Sequence, residues 1–181
     1  MIAVVYNPNS GKKRNIRNEL IEMFTANNLK YSFHETQGYM DAWRFARDCD
    51  IENLACIVAV GGDGTIHEVV NGLMYRKDKK MVPLAFIPNG SGNDTCFSLG
   101  VKSIDAALEG LRKGYYLEVD LIRCLMDAET PEELEGQSEI EQRMRFSISS
   151  SACGFLAKVT HRAAALKHWA GASCYLFAGL K

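Results

Sequence analysis

Runs of residues that favour strands alternate with amphipathic segments four times within residues 1–114. The strand-like runs span residues 2–6, 30–36, 54–60 and 82–87. The amphipathic segments carry apolar residues at helical spacing over residues 16–27, 42–49, 66–74 and 104–111. Such alternation is typical of βαβ units and of an open, mostly parallel sheet covered by helices. The sequence therefore predicts an α/β fold over residues 1–114.

The ends of two predicted helices carry recognisable capping residues. Asp41 and Ser103 precede helical segments and are candidate N-caps. Gly114 follows the last segment and is expected to end that helix, because glycine adopts the left-handed conformation that closes many helices.

The pattern changes after Gly114. Residues 115–125 and 143–150 read as two strands. Between them, the stretch 127–142 holds seven Asp or Glu residues and no Lys or Arg. Acidic stretches that also contain Pro and Gly are typical of solvated loops. We therefore predict a hairpin in this region and a domain boundary near residue 115.

Charge and cysteine content exclude several classes of protein. The 21 Lys and Arg against 22 Asp and Glu give a net charge of -1, so a strongly basic nucleic-acid-binding protein is excluded. No basic stretch precedes the first apolar run, so no signal peptide is predicted and a cytoplasmic location is expected. The six cysteines lack C-x-x-C spacing, which favours reduced and mostly buried thiols.

Three of the predicted strands end in polar, glycine-rich turns. These turns are residues 7–12 (NPNSGK), 61–65 (GGDGT) and 88–94 (PNGSGND). Any one of them could be only a tight turn that requires glycine. Ligands of open α/β sheets bind at the carboxyl ends of the strands, so three such turns at one edge indicate a binding site.

The turn at residues 61–65 has the chemistry of a phosphate site. Gly61, Gly62 and Gly64 leave backbone N–H groups accessible to an oxyanion, and the helix that follows directs its positive end there. Asp63 would repel a phosphate, so we interpret it as a ligand of Mg²⁺ or as the acceptor of a hydroxyl proton. Phosphoryl transfer needs this combination of groups.

Other well-known motifs are missing or incomplete. The sequence contains no G-x-x-x-x-G-K-[ST] and no G-x-G-x-x-G after the first strand, which disfavours a P-loop NTPase and a Rossmann dehydrogenase. His67-Glu68-x-x-Asn71 departs from the H-E-x-x-H motif of zinc hydrolases at its last position. Ser91 lies in N-G-S-G-N rather than in the G-x-S-x-G of a nucleophile elbow.

The chain resembles the diacylglycerol kinase catalytic domain superfamily, which also includes sphingosine and ceramide kinases. The resemblance rests on NPNSG at 7–11, GGDGTIHEVVNGL at 61–73 and IPNGSGNDTCFSLG at 87–100. The three motifs in this order are specific, whereas GGDGT alone is shared with NAD kinases and phosphofructokinases. The resemblance implies a Rossmann-like sheet of the phosphofructokinase and NAD-kinase type.

The resemblance also implies roles for individual residues. Those expected along ATP are Asn7, Pro8, Asn9, Thr36, Gly61, Gly62, Gly64, Thr65, Glu68, Gly90, Ser91 and Gly92. Asp63 matches the base proposed in the sphingosine-kinase branch, while a glutamate far downstream is proposed in the bacterial diacylglycerol-kinase branch. Asp94 and Asp120 match carboxylates that organise Mg²⁺.

Each of four positions also has a purely structural interpretation. Asp94 could cap a helix near residues 95–99, and Asp120 could pair with Arg123. Glu68 could be a solvated charge on a helix, and Thr36 could be a residue at the end of a strand.

Beyond residue 114 the resemblance is weaker. FSISSSACGF (146–155) and HWAGASCYLFAGLK (168–181) are similar to the start of the family's second domain, so residues 115–181 are expected to form an incomplete β-rich domain. No acidic residue follows Gly154-Phe155 closely, which disfavours recognition of a sphingoid amine.

The activity implied is that of a lipid kinase. Such an enzyme uses ATP and Mg²⁺ to phosphorylate the hydroxyl of a diacylglycerol-like, sphingoid or ceramide lipid, and it contacts the membrane transiently and peripherally. A truncated, inactive nucleotide-binding fragment and an NAD kinase-like enzyme are the alternatives. Exposed edges of the two strands after residue 114 also predict a homodimer.

Overall fold

The structure, a computed structural model, describes residues 1–11, 16–126, 144–151 and 157–163. The chain divides into two compact units, residues 1–149 and residues 150–181. In the second unit, a helix covers residues 157–163. The acidic stretch 127–142, the Gly154-Phe155 pair and the segment 168–181 lie outside the described residues.

A four-stranded parallel sheet organises the first unit, which confirms the predicted α/β fold. Its strands are β1 (Ile2–Tyr6), β2 (Tyr31–Glu35), β3 (Cys56–Gly61) and β4 (Leu84–Pro88). Their order is β2-β1-β3-β4, and every neighbouring pair is parallel. The chain moves from β1 to one side and from β3 to the other, so the two strands flank a switch point, where ligands of open α/β sheets bind.

Five helices accompany the strands of this sheet. They are α1 (Arg17–Ala26), α2 (Asp41–Asp48), α3 (Asp63–Met74), α4 (Asp94–Ser98) and α5 (Ile104–Lys113). On one face of the sheet, α2 and α3 bury residues such as Ala46 and Val69. On the other face, α1 and α5 bury residues such as Leu20 and Leu108. Because both faces are covered, β1 and β3 are buried along their whole length.

A small antiparallel sheet follows α5. It pairs β5 (Ile122–Leu125) with β6 (Met144–Ser147), and each strand lies within one of the two strands predicted for the hairpin. The first predicted strand began at residue 115, and this start is wrong. Tyr115, Tyr116 and Leu117 are exposed and belong to no strand. Their apolar side chains resemble a strand in the sequence, but no neighbouring strand among the described residues pairs with them.

Two predicted helix starts also differ from the structure. The third helix begins at Asp63, inside the turn of residues 61–65 rather than after it, so Asp63 lies in its first turn. Asp41 is the first residue of α2 rather than its N-cap, which is Met40. The Asp41 carboxylate instead accepts the backbone N–H of Gln37 at 2.8 Å, because the preceding loop turns back over the helix.

The predicted caps of α5 are confirmed. Ser103 is the N-cap, and its hydroxyl oxygen accepts the N–H of Ala106 at 3.1 Å. Gly114 is the C-cap and has a φ of 65°, a conformation that side chains other than those of glycine rarely adopt.

The cysteines that the structure describes are free thiols. These are Cys49, Cys56, Cys96 and Cys124, whereas Cys153 and Cys174 lie outside the described residues. Burial raises the pKa of Cys56 and of Cys96 to about 11, so both stay protonated near neutral pH. Within the described ranges, no helix has the length and apolar character needed to cross a bilayer.

Candidate functional site

The three glycine-rich turns meet at the carboxyl edge of the sheet. The side-chain amide of Asn7, after β1, donates to the hydroxyl of Thr65, at the start of α3, at 3.0 Å. Asn89, after β4, donates its side-chain amide to Ser10 at 3.1 Å and its backbone N–H to Gly61 at 2.9 Å. These bonds join all three turns, as their positions in the sequence predict.

The first turn is fixed by its own polar groups. The carboxamide oxygen of Asn7 accepts the N–H of Asn9 at 2.9 Å, and the Ser10 hydroxyl donates to the Asn7 carbonyl at 2.9 Å. Pro8 is half-buried and Asn9 is exposed. Gly11 has a φ of 65°, and a Cβ there would strike the Asn89 carbonyl oxygen. Only glycine at position 11 therefore allows the first turn to pack this closely against the third.

The second turn combines a tight contact with an open surface. A Cβ at Gly90 would strike the Cα of Gly62, so the backbones of the second and third turns touch. In contrast, a Cβ at Gly64 would meet nothing within 4 Å. Gly64 is exposed and lies in the first turn of α3, where backbone N–H groups lack helical partners and the helix dipole is positive. An anion can approach this point closely.

Asp63 accepts two backbone hydrogen bonds from the first two residues of α4, where the third turn ends. Its Oδ1 accepts the N–H of Thr95 at 2.9 Å, and its Oδ2 accepts the N–H of Asp94 at 3.3 Å. Burial acts to raise the pKa of Asp63, but the hydrogen bonds from Thr95 and Asp94 outweigh it and hold this pKa below its ordinary value. The side chain is therefore an ionised acceptor that also caps α4.

Two carboxylates face the same glycine in the third turn. A Cβ at Gly92 would lie 3.4 Å from Oδ2 of both Asp63 and Asp94. Carboxylate oxygens are the protein ligands that Mg²⁺ takes, usually one or two of them beside water and phosphate. In the part of the chain that the structure describes, no cluster of three or more His, Cys, Asp or Glu residues could hold a metal.

The rest of the third turn is held by an asparagine that sequence reasoning overlooked. Asn93 accepts the N–H of Gly90 at 2.7 Å and donates to the Gly90 carbonyl at 3.0 Å. Its φ of 61° is left-handed. Ser91 and Gly92 between them are exposed. An asparagine next to glycine in such a turn is the signal that could have identified it.

Thr36 and Glu68 lie on the β2 side of the site. The Thr36 N–H donates to the Tyr6 carbonyl at 2.9 Å, immediately before the first turn. Glu68, on α3, accepts the backbone N–H of Met40 at 3.1 Å. Glu68 is therefore engaged with the loop that follows β2 and is not only a solvated charge on a helix.

Among the residues that the structure describes, Asp120 does not form a group with Asp63 and Asp94 that could hold a metal ion. Asp120 is exposed and is separated from β5 by Leu121. Among the described residues its carboxylate has no hydrogen-bond or ion-pair partner, and the interpretation that it pairs with Arg123 gains no support. The carboxylate near Asp94 is Asp63 instead.

A cavity of about 1040 Å³ lies at the opposite edge of the sheet. Ile2, Cys56 and Leu84 line it at the amino ends of their strands, and Met81, Tyr116 and Leu117 line its outer part. This lining is mostly apolar and carries none of the three glycine-rich turns. The cavity is therefore unsuited to a phosphate, whereas the turns are suited to one.

Comparison with known proteins identifies the family. The sequence profile of the diacylglycerol kinase catalytic domain matches residues 1–124. The chain belongs to the diacylglycerol kinase catalytic domain family.

Individual members of the family show the same relationship. The chain is 31% identical over 134 residues to sphingosine kinase B of Dictyostelium discoideum, covering 71% of this chain and 17% of that protein. It is 32% identical over 119 residues to a diacylglycerol kinase of Bacillus subtilis, covering 61% of this chain and 38% of the relative. A diacylglycerol kinase structure from Bacillus anthracis matches with a TM-score of 0.57 and 25% identity, covering 69% of this chain and 43% of that one. The chain thus spans less than half the length of these relatives.

Asn71 is a further residue of the family region that sequence analysis did not single out for a role. Its side-chain amide donates to the Phe146 carbonyl at 2.8 Å, and its carboxamide oxygen accepts the Phe146 N–H at 2.9 Å. One helical turn later, the Tyr75 hydroxyl donates to the Met144 carbonyl at 2.6 Å. These hydrogen bonds join α3, which begins in the turn of residues 61–65, to β6. The four-residue spacing between Asn71 on α3 and Tyr75, the C-cap of α3, was the available signal.

Proposed function

We propose that this chain is the nucleotide-binding part of a lipid kinase that transfers the γ-phosphate of ATP to a lipid hydroxyl. The observation that carries the proposal is the meeting of three glycine-rich turns at the start of α3, with Asp63 in its first turn. Membership of the diacylglycerol kinase catalytic domain family supports it.

The phosphates of ATP would lie against the first turn of α3. Gly64 leaves open space there, and the free N–H groups and the helix dipole favour negative charge. The turns that contain Asn9 and Ser91 would enclose the phosphates from either side. Fixed donors of this kind need no reorganisation as charge develops on the transferred phosphoryl group, and this lowers the barrier.

Asp63 is the proposed group beside the attacking hydroxyl. Its lowered pKa keeps it ionised, so it would accept a hydrogen bond from the lipid hydroxyl and align the oxygen with the phosphorus. The bonds from Thr95 and Asp94 hold the carboxylate in one orientation. A base with a lowered pKa is weak, so positioning accounts for more of its effect than proton removal.

The carboxylates of Asp63 and Asp94 fit a magnesium ion. Both approach Gly92, which lacks a side chain that would block the space. Held by these carboxylates, Mg²⁺ would neutralise the charge that develops during phosphoryl transfer. Asp120 remains a proposed Mg²⁺ ligand on the strength of its match to the family's carboxylates.

The acceptor is proposed to be a lipid at a membrane surface. Relatives named for sphingosine and for diacylglycerol are both similar to this chain, and they share a lipid alcohol as acceptor. A hydroxyl at the bilayer surface requires the carboxyl edge of the sheet to face the membrane during transfer. Peripheral and transient contact meets this requirement.

A transfer assay tests the proposal. Purified chain is incubated with labelled ATP and Mg²⁺ in mixed micelles that contain diacylglycerol, sphingosine or ceramide. Labelled lipid is expected with one of the three, and it should be lost in Asp63→Asn. Asp105→Asn is the matched control, because Asp105 lies exposed in the first turn of α5, away from the turns. This variant should keep full activity.

Nucleotide binding without transfer is the second candidate, and the limited span of the chain favours it. The chain covers 38% of the Bacillus subtilis relative, so groups needed for transfer can lie in the part that it does not match. Binding of MgATP with no labelled product from any lipid would support this candidate. Absence of MgATP binding would contradict both.

A further inference from the structure

Tyr39 is exposed at the edge of the candidate site. It is 85% exposed, the largest fraction among the exposed large hydrophobic residues that the structure describes. It lies in the loop of residues 36–40, which follows β2 at the carboxyl edge of the sheet. The face of an exposed aromatic ring makes apolar contacts only when another group packs against it.

The backbone around Tyr39 is held in place. Met40 has a φ of 62°, an unusual conformation for a residue with a long side chain, and its N–H is bonded to Glu68. Asp41 accepts the N–H of Gln37 at 2.8 Å and donates its own N–H to Gly38 at 3.3 Å. Non-glycine residues in left-handed conformations persist where surrounding contacts fix them, and they cluster at functional sites.

The loop of residues 36–40 lies next to the proposed phosphate site, on its β2 side. Thr36 is bonded to the end of β1, and Glu68 is on the second turn of α3, shortly after Gly64. The other side of the phosphate site carries the carboxylates of Asp63 and Asp94. A nucleotide whose phosphates rest at Gly64 would therefore extend its nucleoside toward the loop of residues 36–40.

We infer that the base of the nucleotide stacks on the ring of Tyr39, which makes Tyr39 an affinity- and specificity-determining residue. The inference rests on the proposed function and adds the residue that distinguishes a nucleotide from a free polyphosphate. An aromatic face binds any base by stacking, and Tyr has few side-chain torsions to restrict on binding.

Calorimetric titration of the full chain with MgATP and with magnesium tripolyphosphate tests the inference. Tyr39→Ala should weaken MgATP binding by about 5- to 150-fold, the usual range for loss of one stacked base, and leave tripolyphosphate binding unchanged. Tyr39→Phe keeps the ring and should bind MgATP like the wild type. Tyr116→Ala is the matched control, because Tyr116 is 81% exposed at the opposite edge of the sheet. It should change neither affinity.

Other outcomes would overturn the inference. Equal MgATP affinity in the wild type and in Tyr39→Ala would show that no base stacks on the ring, and reduced binding of that variant to lipid vesicles would then assign the ring to the membrane. Equal weakening of MgATP and tripolyphosphate would make Tyr39 a support for the loop only. A wild-type chain that binds tripolyphosphate but not MgATP contradicts the stacking alone. A wild-type chain that binds neither contradicts the proposed function as well.

Discussion

The carboxylate of Asp63 accepts the backbone N–H of Thr95 at 2.9 Å. The first residue of α3 thereby caps α4, which begins 31 residues later in the chain. This bond ties the turn after β3 to the turn after β4. The same carboxylate is the one that we propose to orient the lipid hydroxyl, so structural and catalytic effects of its replacement have to be separated.

Replacing Asp63 should destabilise the fold in proportion to the acceptors that are lost. Asp63→Ala removes both oxygens and should lower the free energy of unfolding by about 0.5–2 kcal/mol, as for other helix caps. Asp63→Asn keeps one acceptor and should lose less. Urea unfolding measures both, provided that the slope with denaturant is unchanged. An Asp63→Ala protein as stable as the wild type would refute the capping role.

The pH dependence of stability should reveal the same interaction. The folded pKa of Asp63 lies below its ordinary value of 3.8, so its ionised form stabilises the fold above that pH. This contribution is lost as the pH falls from about 4 through the lower, folded pKa. Between pH 5 and pH 2, the free energy of unfolding should therefore fall less steeply in Asp63→Asn than in the wild type. Parallel curves would contradict the prediction.

Gly64→Ala should separate folding from binding. A Cβ there meets no protein atom within 4 Å and lies inside a helix, so stability should stay the same or rise by about 0.5–1 kcal/mol. The same methyl group would occupy the proposed phosphate position, and crowding of this kind costs about 1–3 kcal/mol. MgATP affinity, measured by calorimetry, should accordingly fall about 5- to 150-fold.

Gly110→Ala is the control for that experiment. Gly110 also lies inside a helix, and a Cβ added there would have no protein atom within 4 Å, but this helix is α5 on the far face of the sheet. Its replacement should leave MgATP affinity unchanged. Similar affinities for Gly64→Ala and the wild type would exclude the first turn of α3 as the phosphate site.

Loss of the Asn71 side chain should loosen β6. In Asn71→Ala the partly buried N–H and carbonyl of Phe146 lose their Asn71 partners, and the full cost of an unsatisfied buried group, about 1–3 kcal/mol, is the upper limit for each. The amide of Phe146 should then exchange with deuterium faster than in the wild type. Tyr75→Phe removes the bond to the Met144 carbonyl and should have a smaller effect, about 0.5–1.5 kcal/mol. Unchanged exchange at Phe146 in Asn71→Ala would contradict the role of this bond.

The features that depend on local pattern could be predicted from the sequence. β3 is a continuous apolar run because both of its faces are covered. The turn after β3 contains glycine because the backbones of Gly62 and Gly90 are in contact. The parallel order of the strands then brings the turns to one edge. Both the fold and the convergence of the three turns follow from these local signals.

The features that depend on distant partners could not be predicted. Asp63 looks the same in the sequence whether its carboxylate binds a metal or caps α4, since its partner is 32 residues away. Asn71 likewise bonds a strand 75 residues later. The apolar residues 115–117 resemble a strand, but a strand also needs a neighbour to accept its hydrogen bonds.

The most direct test of the account is to map MgATP onto the backbone amides of the ¹⁵N-labelled chain by NMR. We predict that chemical shift changes concentrate at residues 61–65, at Asn9 and at residues 90–92, with smaller changes at residues 36–40. Amides at the amino ends of the strands, such as those of Cys56 and Leu84 beside the apolar cavity, should stay unchanged. Changes centred on that cavity, with none in the three turns, would contradict the account.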